Sequence, residues 1–173
     1  MDIRIISEEQ KADINIKNEP FRLFSRIVPS YTDGVWSYTL TPLPEESTML
    51  FPDEGYDYDS MKENSVFVGA YEDKKCIGLC VLQTSMFRYM YISDLKVNAD
   101  QRGKGVGRAL IRRSAEIAKE RGYIGLYTIG QDNNAAACLF YLGCGFRIGG
   151  LDTEVYNGTS QQGKSDIYFY LDF

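Results

Sequence analysis

The residues whose types and spacing could do chemistry first are Arg102-Gly-Lys-Gly-Val-Gly107, a glycine-rich turn between an apolar run, Tyr89–Val97, and an amphipathic one, Lys104–Arg121. A strand that turns through glycines into a helix aims several backbone N–H groups, and the positive end of the helix dipole, at one point. That arrangement binds a pyrophosphate. Histidine is absent from all 173 residues. Ser-His-Asp and Cys-His nucleophile systems, zincin motifs and histidine bases are therefore excluded. Chemistry must run on carboxylates, tyrosines, thiols, backbone dipoles or a cofactor. Cys76, Cys80, Cys138 and Cys144 lack the spacing of a zinc knuckle, so no metal site is expected, and Cys76 and Cys80, on one face of a predicted strand, read as core packing.

Positioning such a turn takes a sheet and helices, and the hydrophobic pattern supplies both. Met1–Ile6 alternates as a short edge strand, while Ser7–Asn18 reads as strand or loop. Trp36–Leu40 is a strand by its aromatic and β-branched content. Thr41–Ser60, with Pro42, Pro44, Pro52 and Gly55, reads as a loop or a broken helix. Ser65–Tyr71 and Cys76–Thr84 form antiparallel partners around a turn at Glu72–Lys75, and Tyr89–Val97 is the next strand. Within Lys104–Arg121, Val106, Ala109, Leu110, Ile117 and Ala118 fall on one stripe, and Gly122 is a left-handed stop. Gly125–Gly130 is a short buried strand. Asn133 or Asn134 caps a helix through Leu142 that stops at Gly143. Phe146–Gly149 and Ile167–Phe173 close the chain as strands. The expected fold class is α/β, a mixed sheet with two helices, in one domain over residues 1–173.

Composition narrows the partners. Hydrophobic residues make up 44% and charged residues 25%, the balance of a soluble globular protein. Met1-Asp2-Ile3-Arg4 lacks the order of a signal peptide, and no apolar run is long enough to span a bilayer. A cytoplasmic protein with no membrane partner is expected. Net charge is −5, and Ile27–Met61 holds Asp33, Glu45, Glu46, Asp53, Glu54, Asp57 and Asp59 without one Lys or Arg. With no basic stripe, nucleic acid is not an expected partner. A cationic partner suits this charge.

Three devices compete for the glycine turn. A Walker A loop needs G-x4-G-K-[ST], and Lys104 is followed by glycine. A Rossmann fingerprint needs G-x-G-x-x-G, whereas Gly103, Gly105 and Gly107 alternate. The pattern Arg102-x-x-Gly105-x-Gly107 resembles the loop of the GCN5-related N-acetyltransferases (GNAT), which set it after a long strand, with an asparagine and a tyrosine on a later helix. Asp132-Asn-Asn134 and Phe140-Tyr141 stand in those places. The bland alternative is a flexible turn before an ordinary helix. The runs Glu19-Pro-Phe21, Ile27-Val-Pro-Ser-Tyr31, Tyr91-Ile-Ser-Asp94, Gln131-Asp-Asn-Asn134 and Cys144-Gly-Phe-Arg-Ile-Gly149 resemble those of streptothricin acetyltransferases. The likeness covers nearly the whole chain and is weakest across Glu45–Asn64. Several relatives carry an acid where this chain has Ser93.

The resemblance implies a GNAT fold, with a central, mostly antiparallel twisted sheet flanked by helices, and acetyl-CoA as co-substrate. It implies cofactor contacts from Leu95, Lys96 and Val97 along the pantetheine arm. Arg102, Gly103, Lys104, Gly105, Val106, Gly107 and Arg108 would lie around the pyrophosphate, with Asn134 and Tyr141 completing the set. A family-type bulge in the strand would turn the Val97 N–H toward the thioester carbonyl. Asp94 is the candidate base and Tyr141 the candidate acid for the departing thiolate. As alternatives, Asp94 reads as a solvated carboxylate, Tyr141 as a core aromatic, and Asn134 as a helix cap. The acidic, aromatic loop of Asp53, Glu54, Tyr56, Asp57, Tyr58 and Asp59 suits a cationic acceptor, or is simply solvated. The implied activity is transfer of acetyl to a primary amine of a cationic antibiotic, the β-lysine moiety of streptothricin. A polyamine, an aminoglycoside, a protein amine, or a non-catalytic acetyl-CoA sensor are the rivals. A homodimer remains open.

Overall fold

The computed structural model describes residues Met1–Phe173 throughout. In chain order the elements are β1 (Asp2–Ile5), a 3-10 helix (Glu8–Asn15), β2 (Phe21–Thr32), β3 (Val35–Met49), α1 (Tyr58–Met61), β4 (Ser65–Glu72), β5 (Lys75–Gln83) and β6 (Tyr89–Val97). A short 3-10 turn (Ala99–Gln101) then leads to α2 (Val106–Glu120), β7 (Gly125–Gln131), α3 (Ala135–Gly143), β8 (Arg147–Asp152) and β9 (Asp166–Asp172). The expected strands and both long helices are present. The chain divides into two compact units, one of Met1–Pro20, Leu50–Leu126 and Phe173, the other of Phe21–Met49 and Tyr127–Asp172.

In the first unit, β1, β4, β5 and β6 lie side by side in that order, each pair antiparallel. The β4–β5 turn places Asp73 and Lys74 at φ 48 and 67, the left-handed pair that a two-residue hairpin needs. β4 is buried from Ser65 to Tyr71, so it reads as a continuous apolar run rather than an alternating one. The predicted stripe of α2 is buried in full and also includes Ile111 and Ser114. Gly78 lets that helix close on β5: a Cβ there would meet Val106 at 3.1 Å and Leu110 at 3.2 Å. Elsewhere in the unit, Ile6, Ile14, Phe67, Leu79 and Val81 form a core cluster that gathers Ile16, Tyr56, Tyr58 and Met61.

The second unit contains a hairpin that the sequence reading leaves largely unassigned. β2 and β3 pair from Thr32 opposite Val35 back to Phe21 opposite Met49. Thr41–Met49, expected as loop or broken helix, is strand; only Leu50–Asp57 and the single turn of α1 match that expectation. Likewise Ser7–Asn18, expected as strand or loop, is chiefly 3-10 helix. In this unit β7 neighbours β9, which pairs antiparallel with β8, and α3 packs against β2. Its core includes Ile27, Cys138, Tyr141, Phe146, Ile148, Ile167 and Phe169.

Candidate active site

β6 positions the candidate base. Its pairing with β5 is regular from Val97 opposite Gly78 to Asp94 opposite Val81, then slips so that Leu82 faces Ile92. Ser93 is the extra residue of a bulge, and its Oγ donates to the Val81 carbonyl at 3.3 Å. The bulge therefore sits beside Asp94 and not at Val97, where the resemblance would put its consequence. Beyond it, Asp94 and Lys96 share a face because they are two apart on a strand. Lys96 Nζ lies 3.2 Å from Asp94 Oδ2 and 2.5 Å from Glu54 Oε2. Tyr56 donates its hydroxyl to the same Asp94 oxygen at 3.1 Å. Asn18 ties the group together, donating to Glu54 at 2.9 Å and accepting from Lys96 at 3.4 Å.

Burial pushes the Asp94 carboxyl above the usual carboxylate range, and the Lys96 ammonium pulls it only part of the way back. A raised carboxylate is a stronger proton acceptor than a free one, which is what a general base requires. Burial would also raise Glu54, but hydrogen bonds from Asn18 and Lys96 reverse the balance and hold it low. Burial, followed by the Asp94 charge, drives the Tyr56 phenol upward, so it stays a neutral donor. The cluster thus separates two carboxylates: Asp94 is made basic and Glu54 stays ionised beside the ammonium.

The rest of the acidic loop is tethered to its own unit. Asp53 accepts from the Asn18 backbone N–H at 2.8 Å and faces Lys17. Asp57 caps α1, and Asp59 pairs with Lys11 at 2.8 Å and Lys62 at 3.1 Å. The rings of Tyr56 and Tyr58 lie 6.3 and 5.7 Å from Phe67. These aromatics anchor the loop on the core. Lys96 was expected through its backbone alone; its side chain is the residue the sequence reading misses. Its spacing from Asp94 on a period-two strand is the signal that could have found it.

The glycine turn fits a pyrophosphate. Gly103 and Gly105 hold φ of 78 and 87, and a Cβ on either would meet no atom within 4 Å, so the backbone is open on that side. No side chain caps α2. Its first intrahelical bond runs from the Ala109 N–H to the Gly105 carbonyl, which leaves Val106 and Gly107 N–H groups with no acceptor inside the helix. Arg102 does a different job from simple charge supply. Its guanidinium donates to the carbonyls of Val97 at 3.1 Å and Pro20 at 2.9 Å, and so fixes the start of the turn. Lys104 reaches Gln101 Oε1 at 3.3 Å.

In the second unit, Asn134 caps α3, its Oδ1 accepting from the Ala137 N–H at 3.2 Å. Tyr141 is 7% exposed on the same helix. Its ring lies 5.5 to 5.7 Å from those of Phe140, Phe146 and Phe169, which fixes its orientation.

Comparison with known proteins decides the family. The acetyltransferase (GNAT) family model matches residues 32–146. The chain belongs to the GNAT family. It is an acetyl-CoA-dependent N-acetyltransferase, with the mixed, mostly antiparallel architecture of that family. It is 34% identical over 162 residues to streptothricin acetyltransferase A of Bacillus subtilis strain 168, covering 93% of this chain and 94% of that one. A Bacillus anthracis protein assigned as a streptothricin acetyltransferase, crystallised with acetyl coenzyme A, superposes with a TM-score of 0.89 at 31% identity. That match covers 99% of this chain and 98% of the other. Nourseothricin acetyltransferase superposes with a TM-score of 0.80 at 28% identity, over 99% and 97% of the two chains.

Proposed function

We propose that this GNAT enzyme acetylates a primary amine of streptothricin, at its β-lysine moiety, with acetyl-CoA as donor, and so confers resistance. The observation that carries the reading is a likeness to a streptothricin acetyltransferase that runs through nearly the full length of both chains. The whole of residues 1–173 works as one catalytic domain in the cytoplasm, in keeping with four free cysteines.

Protonation of the acceptor is the main energetic obstacle. A lysine-like amine is neutral in only about one molecule in 2,500 at pH 7, and recovering the free base costs about 4.6 kcal/mol. A purely anionic pocket would attract the cation and raise its pKa further. Asp94 resolves the conflict: raised by burial, it takes the proton, directly or through water, while Lys96 offsets the added negative charge. Tyr141 gives its proton to the departing CoA sulfur as the tetrahedral intermediate collapses. Backbone N–H groups of the Arg102–Arg108 turn hold the pyrophosphate, Leu95, Lys96 and Val97 lie along the pantetheine arm, and Asn134 keeps α3 in register. Acetyl-CoA supplies the activated acyl group. The loop of Asp53, Glu54, Tyr56, Asp57, Tyr58 and Asp59 serves the acceptor chiefly by holding the Asp94 cluster in place.

The reading is tested by comparing kcat/KM for streptothricin with that for a polyamine, an aminoglycoside and a peptide amine. A preference for streptothricin of two orders of magnitude or more is expected. Equal values across the panel would assign the enzyme to a different acceptor.

A further inference from the structure

The glycine turn and the Asp94 cluster lie in the same unit, and one short segment touches both. Residues 15–20 link the first 3-10 helix to β2, and Met1–Pro20 belongs to the first unit, as does Leu50–Leu126. At one end, Asn15 holds the backbone of Tyr56 in both directions. Its Nδ2 donates to the Tyr56 carbonyl and its Oδ1 accepts from the Tyr56 N–H, both at 2.8 Å. Three residues on, Asn18 donates to the Pro52 carbonyl at 2.9 Å, beside its bonds to Glu54 and Lys96. At the other end the segment meets the turn. The Glu19 carboxylate accepts from the Ala99 N–H and lies 3.9 Å from the Arg102 guanidinium. Arg102 in turn donates to the Pro20 carbonyl at 2.9 Å.

How the segment is held matters as much as what it touches. Residues 16–20 carry no helix or strand, and each of these bonds has a side chain on at least one end. Ile16 packs against the core cluster, while the Lys17 side chain is 85% exposed. A segment fixed by side-chain bonds near the surface opens more readily than one held in a ladder. Its ordering costs free energy that two ligands can share. Whichever site is filled first, and holds the segment down, lowers the cost for the other.

We infer that residues 15–20 form a positioning strap that couples the two halves of the reaction, so that the Asp94 cluster is set for the acceptor when the turn holds CoA. With the turn closed on a diphosphate, Ala99 and Arg102, the anchors of Glu19 and Pro20, are fixed. The strap carries that order to Asn15 and Asn18, and through them to Tyr56, Glu54 and Lys96. The inference rests on the turn as diphosphate seat and on Asp94 as base, both proposed above, and adds that the two are linked. By reciprocity, loosening either end must be felt at the other.

The test cuts each end of the strap and reads the opposite site in the full-length protein. Asn15 bonds no residue of the turn, yet Asn15→Ala should weaken CoA binding, measured by calorimetry, by about fivefold. Asn18→Ala should act in the same direction, and thermal melts verify that both variants fold. Glu19→Ala, read at saturating acetyl-CoA, should lower kcat by about fivefold. Glu19→Gln removes the same charge but keeps an acceptor for the Ala99 N–H, so it should recover most of that loss. Wild-type CoA affinity in both asparagine variants, or a Glu19→Ala defect that disappears at saturating acetyl-CoA, would overturn the coupling. The CoA measurement needs no acceptor, so a strap effect in a protein that leaves streptothricin unmodified would sink only the substrate reading; kcat is then read with the amine that does react. Failure of the wild type to take up CoA would overturn the seat itself, and the strap with it.

Discussion

Two polar regions of this enzyme are built on opposite plans. Around Asp94, every carboxylate is matched: Lys96 sits against Asp94 and Glu54, Tyr56 bonds Asp94, and Asn18 closes the ring. Around Asp132, three buried oxygens are left without a partner. A matched network fixes geometry and tunes a proton acceptor. An unmatched one carries the cost of desolvation uncompensated. The two regions thus use the same residue types with opposite satisfaction.

Breaking the chemistry should give the largest effects. Asp94→Asn and Tyr141→Phe should each lower kcat by about 10²- to 10⁴-fold, the range of a general base or acid. Acetyl-CoA affinity, measured by calorimetry, should stay intact in both. In wild type, Asp94 must be ionised to accept a proton and its pKa is raised. The rate therefore falls as pH drops through a value above the ordinary carboxylate range, and that acid limb should vanish in Asp94→Asn.

Next in size is the disruption of the matched network. Lys96→Met removes the shared cation of two carboxylates, and its side chain is only 10% exposed. Denaturant unfolding should show a loss of about 3 kcal/mol, as when one partner of a buried pair is deleted. With the ammonium gone, Asp94 rises further and the acid limb of kcat/KM moves to higher pH. Lys96→Arg should keep most of both properties.

The unmatched region should behave in the reverse manner. Asn133→Leu removes an acceptor that has no donor, so the same unfolding measurement should show no loss, or a gain of about 1 kcal/mol. A loss comparable to that of Lys96→Met would erase the contrast. The smallest effect belongs to the loop surface: Asp59→Asn breaks exposed pairs with Lys11 and Lys62 and should leave the unfolding midpoint essentially unchanged.

Much of the fold is legible in the sequence because its signals are local. The α2 stripe, the Gly122 stop at φ 81 and the Asn134 cap follow from neighbouring residues alone. The long hairpin escapes because Pro29, Pro42 and Pro44 lie inside its strands, and proline argues against a strand except at an edge. Its turn is nonetheless written in the chain: Asp33-Gly34, at φ 52 and 81, is a strong hairpin signal once given weight. At the site, the glycine turn and Asp94 can be read from type and spacing. Beyond Lys96, the groups around Asp94 cannot, because Glu54 and Tyr56 come to it through tertiary packing of their loop on Phe67 and Asn18 joins them through Glu54 and Lys96. The Ser93 bulge has no composition signal at all. Likewise, orphan acceptors are a property of packing, and Gln131-Asp-Asn133 looks in sequence like any polar turn.

The most direct measurement incubates the purified protein with acetyl-CoA and streptothricin and weighs the products by mass spectrometry. One acetyl group on the antibiotic, at its β-lysine amine, with one equivalent of CoA released is the predicted result. Unmodified streptothricin, with CoA released no faster than in the absence of protein, would contradict the proposed function.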